Sequence, residues 1–276
     1  MWKYALLLSY RGTDFCGWQK QRGVAAEGLP SIQATIEAAL KRITQEPVSV
    51  VGSGRTDSGV HALGQVAHFV LKGERHWECE ILRRGLNAIL SPQQIQVRAV
   101  IEAPMDFHAQ RGAEKKQYSY YFQQGTAPLP HLEPFSWWIR KPLDVKAMQE
   151  GIAHLLGRHD FKPFQASGAK PGETVREILE AEVIQGPIGY PVYHDSVMEH
   201  ENLGLVRVRI VGTGFLKQMV RGIAGTLLQV GEGRRPASDF AKILSTGKRA
   251  LVGPTAPSRA LWLERVWYPD LDWRKS

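Results

Sequence analysis

The 276-residue chain carries 35 Lys and Arg against 27 Asp and Glu, a formal net charge of +8, which favours a polyanionic partner over a neutral one. A content of 43% hydrophobic and 22% charged residues is typical of a globular protein, and the length predicts about two domains. Cys16 and Cys79 lie far apart and form no C-x-x-C pair, so the sequence indicates neither a disulfide framework nor a zinc site. No apolar run is long enough for a secretory leader or a membrane span. We therefore expect a soluble, cytoplasmic protein that binds a polyanion. The alternative is a soluble protein whose basic surface has no such partner.

The first half of the chain alternates between strand-like and helix-like patterns. Ser31 stands before apolar residues at helical spacing and can cap that helix. The predicted elements are, in order, a strand at 3–10, a helix from 32, strands at 48–51 and 65–70 around a glycine-rich loop, a helix at 78–90 and a strand at 95–102.

The second half repeats this alternation of elements. The predictions are an aromatic strand at 115–122, a proline-rich turn region at 128–134, a helix at 145–156, strands at 175–184 and 205–211, a helix at 215–230, a short helix at 240–244 and a closing strand at 261–266. Residues 186–202 are an irregular insertion with no assigned role. We predict an α+β fold of two related RNP-like (ferredoxin-like) α/β domains that share a mixed, mostly antiparallel sheet with helices on one face.

The glycine-rich loop within residues 50–69 holds a cation and an anion close together. Glycines at 52, 54 and 59 allow positive φ or a close approach to a ligand. Arg55 and Asp57 are two residues apart, so both side chains can project to the same side of the loop. The alternative is that Asp57 only caps its own backbone in an Asx-type turn.

Several common catalytic and cofactor motifs are missing or incomplete. The chain has no G-x-x-x-x-G-K-[ST] phosphate loop and no G-x-S-x-G serine motif. Gly212 and Gly214 could begin a dinucleotide fingerprint, but Lys217 stands where its third glycine belongs. His61 and His68 are the nearest candidates for a metal pair, although packing or turn roles are more common for such histidines.

The remaining features are those of an enzyme that acts on a nucleic-acid base. A carboxylate lies in a glycine-rich loop, cations are available to oppose it, and Tyr118, Tyr120 and Tyr121 lie on one predicted strand. Bases stack on aromatic rings, and basic residues neutralise phosphates. The alternative for each tyrosine is that its ring packs the sheet.

Five ordered motifs resemble those of the tRNA pseudouridine synthase A family. The signature loop of that family is similar to residues 53–61 (SGRTDSGVH), and the other motifs extend the resemblance along nearly the whole chain. They are residues 10–19 (YRGTDFCGWQ), 106–109 (DFHA), 215–221 (FLKQMVR), and 256–257 (AP) together with 261–263 (LWL).

The resemblance implies isomerisation of uridine to pseudouridine in the anticodon stem-loop of tRNA (positions 38, 39 and 40), without a metal or an organic cofactor. It also implies a homodimer whose subunits have a domain at 1–106 with the catalytic loop and a domain at 107–276 that completes the cleft. The implied site residues are Asp57 as the catalytic group, Arg55 as the loop arginine that holds the base out of the stack, Tyr118 as the stacking ring, Arg221 as the partner of the aspartate and Leu263 as an apolar residue of the pocket.

Some positions differ from the family pattern, and some alternatives stay open. Arg11 replaces a usual acidic residue, and residues 110–112 (QRG) replace Arg-Phe-Ser; both differences concern contacts with tRNA and leave the catalytic set intact. Asp57 can act either as a nucleophile or as a base. A non-catalytic RNA-binding protein and a dinucleotide-dependent oxidoreductase remain the competing hypotheses.

Overall fold

The computed structural model describes residues 1–20, 28–168, 172–186, 204–269, 271 and 273. Nearly all of the predicted insertion at 186–202 lies outside these ranges. Within the described ranges, no helix has the length and apolar character needed to cross a bilayer. The α-helices are α1 (Ile32–Thr44), α2 (Cys79–Leu90), α3 (Val145–Ala153), α4 (Met219–Gly231) and α5 (Asp239–Thr246).

The described residues form ten strands, paired in both parallel and antiparallel fashion, so the predicted α+β class and mixed pairing are confirmed. The strands are β1 (Trp2–Tyr10), β2 (Val51–Gly52), β3 (His61–Leu71), β4 (Ile95–Glu102), β5 (Lys115–Gln124), β6 (Trp137–Ile139), β7 (Gly157–Asp160), β8 (Val175–Gln185), β9 (Gly204–Gly212) and β10 (Leu261–Trp267).

The first of two compact units comprises Met1–Lys116 and Trp262–Ser276. Strand β1 pairs antiparallel with both β3 and β4, β2 adds to β3, and β10 pairs parallel with β3. Helices α1 and α2 pack together, and α2 packs on β4. The closing strand thus belongs with the first unit, a return of the chain that the sequence did not predict.

The second unit comprises Gln117–Leu261. Its strand order is β5, β9, β8 and β7, and β6 pairs parallel with β5. Helix α3 packs on β8 and on α4. Alternate residues of β9, among them Val206, Val208 and Ile210, are fully buried in the core of this unit.

Several predicted elements have different bounds in the structure, and for two of them the local cause is clear. The strand predicted at 48–51 is reduced to β2, because side chains of α1 bind the backbone of Val50: Gln33 donates to its carbonyl and Glu37 accepts from its N–H, both at 3.0 Å. The helix predicted from 215 begins at Met219, because Gln218 adopts a left-handed conformation (φ 60°).

His68 is buried at a contact between β3 and residues 106–109. The backbone N–H of Ala109 donates to His68 Nδ1 (3.2 Å), and the ring contacts those of Phe107 and His108. Burial, followed by the positive neighbours His108, Lys3 and Arg111, lowers the pKa of His68 to about 4. The fold therefore holds this imidazole neutral.

We expect His68 to make folding sensitive to acid. The pKa of an unfolded histidine is about 6.5, so the contribution of neutral His68 is complete above that pH and is lost as the pH falls towards 4, by up to about 3 kcal/mol. Chemical denaturation at pH 7 and pH 4.5 should show that His68→Asn, whose amide oxygen can replace Nδ1 as acceptor, loses less stability on acidification than the original protein. An equal loss in both proteins would contradict this assignment.

Helix α4 contacts residues 253–254 through a glycine. A Cβ at Gly225 would lie 1.7 Å from the carbonyl oxygen of Pro254, whereas a Cβ at Gly222, on the same helix, meets nothing closer than 3.5 Å. The Gly253 N–H donates to Thr226 Oγ1 (2.9 Å), which keeps the two segments together. Of Gly222 and Gly225, only Gly225 is therefore required by packing.

We expect the two glycines to respond oppositely to alanine. Gly225→Ala should lower the free energy of unfolding by roughly 1–3 kcal/mol or more, since the backbone at Pro254 must move. Gly222→Ala is the matched control and should gain up to about 1 kcal/mol from helix propensity. Thermal or chemical denaturation measures both, and equal effects at the two positions would show that the close contact is not what matters.

Candidate active site

The loop between β2 and β3 is held by the buried residue Thr56. Its hydroxyl shares a hydrogen bond with the hydroxyl of Tyr10 (2.9 Å), and its carbonyl accepts from the Trp18 N–H (3.0 Å). Burial raises the pKa of Tyr10 to about 12, so this phenol remains protonated at neutral pH. Thr56 stands between Arg55 and Asp57, and its burial fixes which way the backbone on either side of it faces.

Residues 10–19 form the frame of this loop. Phe15 accepts a hydrogen bond at its carbonyl from Ser58 Oγ (3.1 Å), and a Cβ at Gly12 would lie only 2.0 Å from the carbonyl of Val60. Gly17 has φ +105°, and a Cβ there would lie 2.7 Å from the carbonyl of Thr56. The glycines of this motif therefore serve close backbone packing under the loop.

Arg55 and Asp57 lie on the less buried side of the loop. Arg55 is exposed and Asp57 is half-buried, while Ser53, Thr56 and Val60 are buried. The turn that follows Asp57 is closed by the main chain, with the Val60 N–H donating to the carbonyl of Asp57 (3.1 Å). Arg55 and Asp57, a cation and an anion, thus both lie in the first unit at positions more exposed than the buried residues of the loop.

Leu263 also belongs to the first unit. It is fully buried in β10, and its Cα partner in the parallel pairing with β3 is Ala62. This pairing places Leu263 beside the start of β3, and Ala62 is only five positions along the chain from Asp57.

Tyr118 lies in the second unit and is 8% exposed. Its ring meets that of Phe215 edge to face, with 5.0 Å between ring centroids and an interplanar angle of 76°. Such a contact orients an aromatic ring. The sequence placed Phe215 in a helix and did not predict this contact.

Arg221, also in the second unit, is held by the backbone of Ala256. Its Nε donates to the carbonyl of Ala256 (2.7 Å), and the Ala256 N–H donates to the carbonyl of Arg221 (3.2 Å). The next residue, Pro257, accepts from the buried Tyr120 hydroxyl (3.0 Å). Residues 256–257 thus orient a half-buried guanidinium.

The residues that suggested a metal pair or a dinucleotide fingerprint have packing roles in the structure. His61 is fully buried, accepts from the Gly12 N–H at Nδ1 (3.1 Å) and stacks on Trp262. Like His68, it therefore packs in the core and accepts a hydrogen bond from a backbone N–H. Within the described ranges, no group of three or more His, Cys, Asp or Glu side chains is placed to hold a metal ion. A Cβ at Gly212 would lie 2.8 Å from the carbonyl of Glu177, which gives that glycine a packing role between strands.

Comparison with known proteins identifies one family. The family model for tRNA pseudouridine synthase matches residues 7–110 and 152–269, ranges that include four of the five candidate residues and omit Tyr118. A tRNA pseudouridine synthase A of Myxococcus xanthus is 42% identical, over 96% of this chain and 91% of that protein. Proteins of the same name from Bdellovibrio bacteriovorus and Lactococcus lactis subsp. lactis are 38% and 37% identical, each over 98% of this chain and over 97% and 98% of their own lengths.

Among solved structures, one chain of a Cbf5-Nop10-Gar1 complex is similar over 82% of this chain and 54% of its own length, at 13% identity and a TM-score of 0.29. This similarity carries no argument about fold. The sequence relatives and the family model carry the assignment. They extend over most of the chain and bear the same description. The chain belongs to the tRNA pseudouridine synthase family and is an isomerase of that family.

Proposed function

We propose that this protein isomerises uridine to pseudouridine in the anticodon stem-loop of tRNA, with Asp57 as the catalytic group. The observation that carries the proposal is the anchored loop. Its backbone and buried side chains are bound to Tyr10, Phe15 and Trp18, while Arg55 is exposed and Asp57 is half-buried. A loop that serves only as a turn does not need this frame.

The reaction rearranges bonds within one nucleoside. The bond from C1′ of the ribose to N1 of uracil breaks, a bond from C1′ to C5 forms, C5 loses its hydrogen to solvent as a proton, and N1 gains a proton. No electrons are exchanged with a second substrate. Asp57 acts in this scheme as a nucleophile on the sugar or base, or as a base that removes the ribose 2′ proton, and both roles require the ionised carboxylate.

The base must leave the helical stack to be turned, which costs a few kcal/mol. We assign Tyr118 to stacking on the base, worth about 1–3 kcal/mol, and Arg55 to the position that the base leaves. The contact with Phe215 supports the first role, because it orients the ring, and the exposure of Arg55 supports the second.

Arg221 and Leu263 complete the proposed site. The family resemblance assigns Arg221 as the cation that pairs with the catalytic carboxylate, and its bond to Ala256 supports a fixed guanidinium. Burial of Leu263 in β10 supports a role as an apolar wall. The division of roles between residues 1–106 and 107–276 belongs to the same proposal.

The remaining features of the proposal follow from charge and family. A net charge of +8 suits a tRNA partner. A homodimer, a cytoplasmic location, a reaction without cofactors and RNP-like (ferredoxin-like) domains with helices on one face stay predictions.

We expect Asp57→Asn to abolish the reaction while the protein still folds and binds tRNA, because the amide keeps the shape of the carboxylate and removes its charge. The measurement is tritium release from unmodified tRNA that carries uridine labelled at C5. Glu74→Gln is the matched control, since it makes the same change of charge at an exposed carboxylate outside all five motifs. Appreciable release by Asp57→Asn would overturn the assignment.

We expect Tyr118 to act through its ring. Tyr118→Phe should turn over tRNA at nearly the normal rate, whereas Tyr118→Leu should lose about tenfold or more, because stacking is worth about 1–3 kcal/mol per base. Single-turnover assays at saturating enzyme separate this effect from binding. Equal activity of the Phe and Leu variants would remove the stacking role.

A further inference from the structure

Lys116 is bound to the loop between β2 and β3, which we propose to be catalytic. Its Nζ donates to the carbonyl of Ser53 at 2.6 Å, across 63 positions of the chain, and its side chain is half-buried. Neither the family motifs quoted above nor the proposed reaction gives this lysine a role.

The acceptor residue, Ser53, is fully buried and fully bonded. Its N–H donates to the carbonyl of Val66 (2.7 Å), its hydroxyl donates to Gln65 Oε1 (2.6 Å), and its carbonyl accepts from Lys116. Gln65 also donates from Nε2 to the carbonyl of Gly54 (3.1 Å). The two peptide units before Arg55 are therefore held by one ammonium and one buried amide.

The same ammonium gives a reason for glycine at position 54. A Cβ on Gly54 would lie 3.1 Å from Lys116 Nζ, closer than such atoms ordinarily approach. A Cβ at position 54 would therefore require the Lys116 ammonium to shift by a few tenths of an ångström, which would weaken its bond to Ser53.

We propose that Lys116 is a positioning residue for the catalytic loop: by holding the carbonyl of Ser53, it fixes the direction in which the chain enters Arg55 and Asp57. The inference rests on the proposed function, since it concerns the rate of that reaction. Lys116 need not touch the substrate. A hydrogen bond from an ammonium is stronger than one from a neutral donor, which suits a loop that must resist displacement when a base enters.

The test compares two neighbouring lysines. Lys116→Met keeps most of the apolar stem and removes the ammonium, and Lys115→Met makes the same change in charge one position away, where the amine lies over the ring of Trp267 (4.9 Å). Tritium release is measured over a range of tRNA concentrations, with thermal unfolding of each variant alongside.

We expect Lys116→Met to lower kcat by about tenfold to a hundredfold, because a misplaced catalytic group loses rate on this scale. Its KM should change no more than that of Lys115→Met, which should keep kcat. Lys116→Arg retains a cationic donor and should recover part of the lost kcat.

A double substitution tests the specific contact. Gly54→Ala should lower kcat by shifting the ammonium, but it should have little further effect when combined with Lys116→Met, because both changes act on the same bond. Independent, multiplying losses would mean that the two residues do not act through each other.

The outcomes separate this inference from the proposed function. No tritium release by the unsubstituted protein overturns the function itself. Release by the unsubstituted protein together with normal kcat in Lys116→Met overturns only the role of Lys116. A raised KM alone, matched in Lys115→Met, also overturns that role, because it indicates contact with phosphate. A loss of kcat that follows a fall in melting temperature, without recovery in Lys116→Arg, overturns it as well, because it indicates a structural role.

Discussion

The hydrogen bond between the buried hydroxyls of Tyr10 and Thr56 is the constraint on which the site depends. A buried hydroxyl without a partner costs about 1–3 kcal/mol, so the bond commits Thr56 to the interior. Arg55 and Asp57 flank that residue and lie on the less buried side. Hydrogen bonds to Phe15 and Trp18 hold the same loop and oppose a rotation that would bury Arg55 and Asp57.

Much of this arrangement could be predicted from the sequence, because local patterns carry it. Apolar spacing located most helices and strands, and the glycines with Arg55 and Asp57 marked the loop that we propose to carry the reaction. The parts that escaped prediction depend on contacts between distant positions. Lys116 and Ser53 are 63 residues apart, and the bonds that shorten the strand at 48–51 come from Gln33 and Glu37 on a helix. Such pairs have no local signature.

The second unit shows the same principle for its cation. Arg221 is oriented by a backbone carbonyl at Ala256, a segment that packs on α4 because Gly225 has no side chain. The sequence identified both motifs by resemblance but could not connect them. In each unit, a segment with a proposed site residue is thus held by a motif from elsewhere in the chain, and glycine allows the two to approach.

The most direct test of the account is to locate the product in the substrate. An unmodified tRNA transcript is incubated with the protein, and its pseudouridines are placed by mass spectrometric sequencing. We expect pseudouridine within the anticodon stem-loop and no loss of uridine elsewhere. Pseudouridine confined to another arm of the tRNA, or none at all, would contradict it.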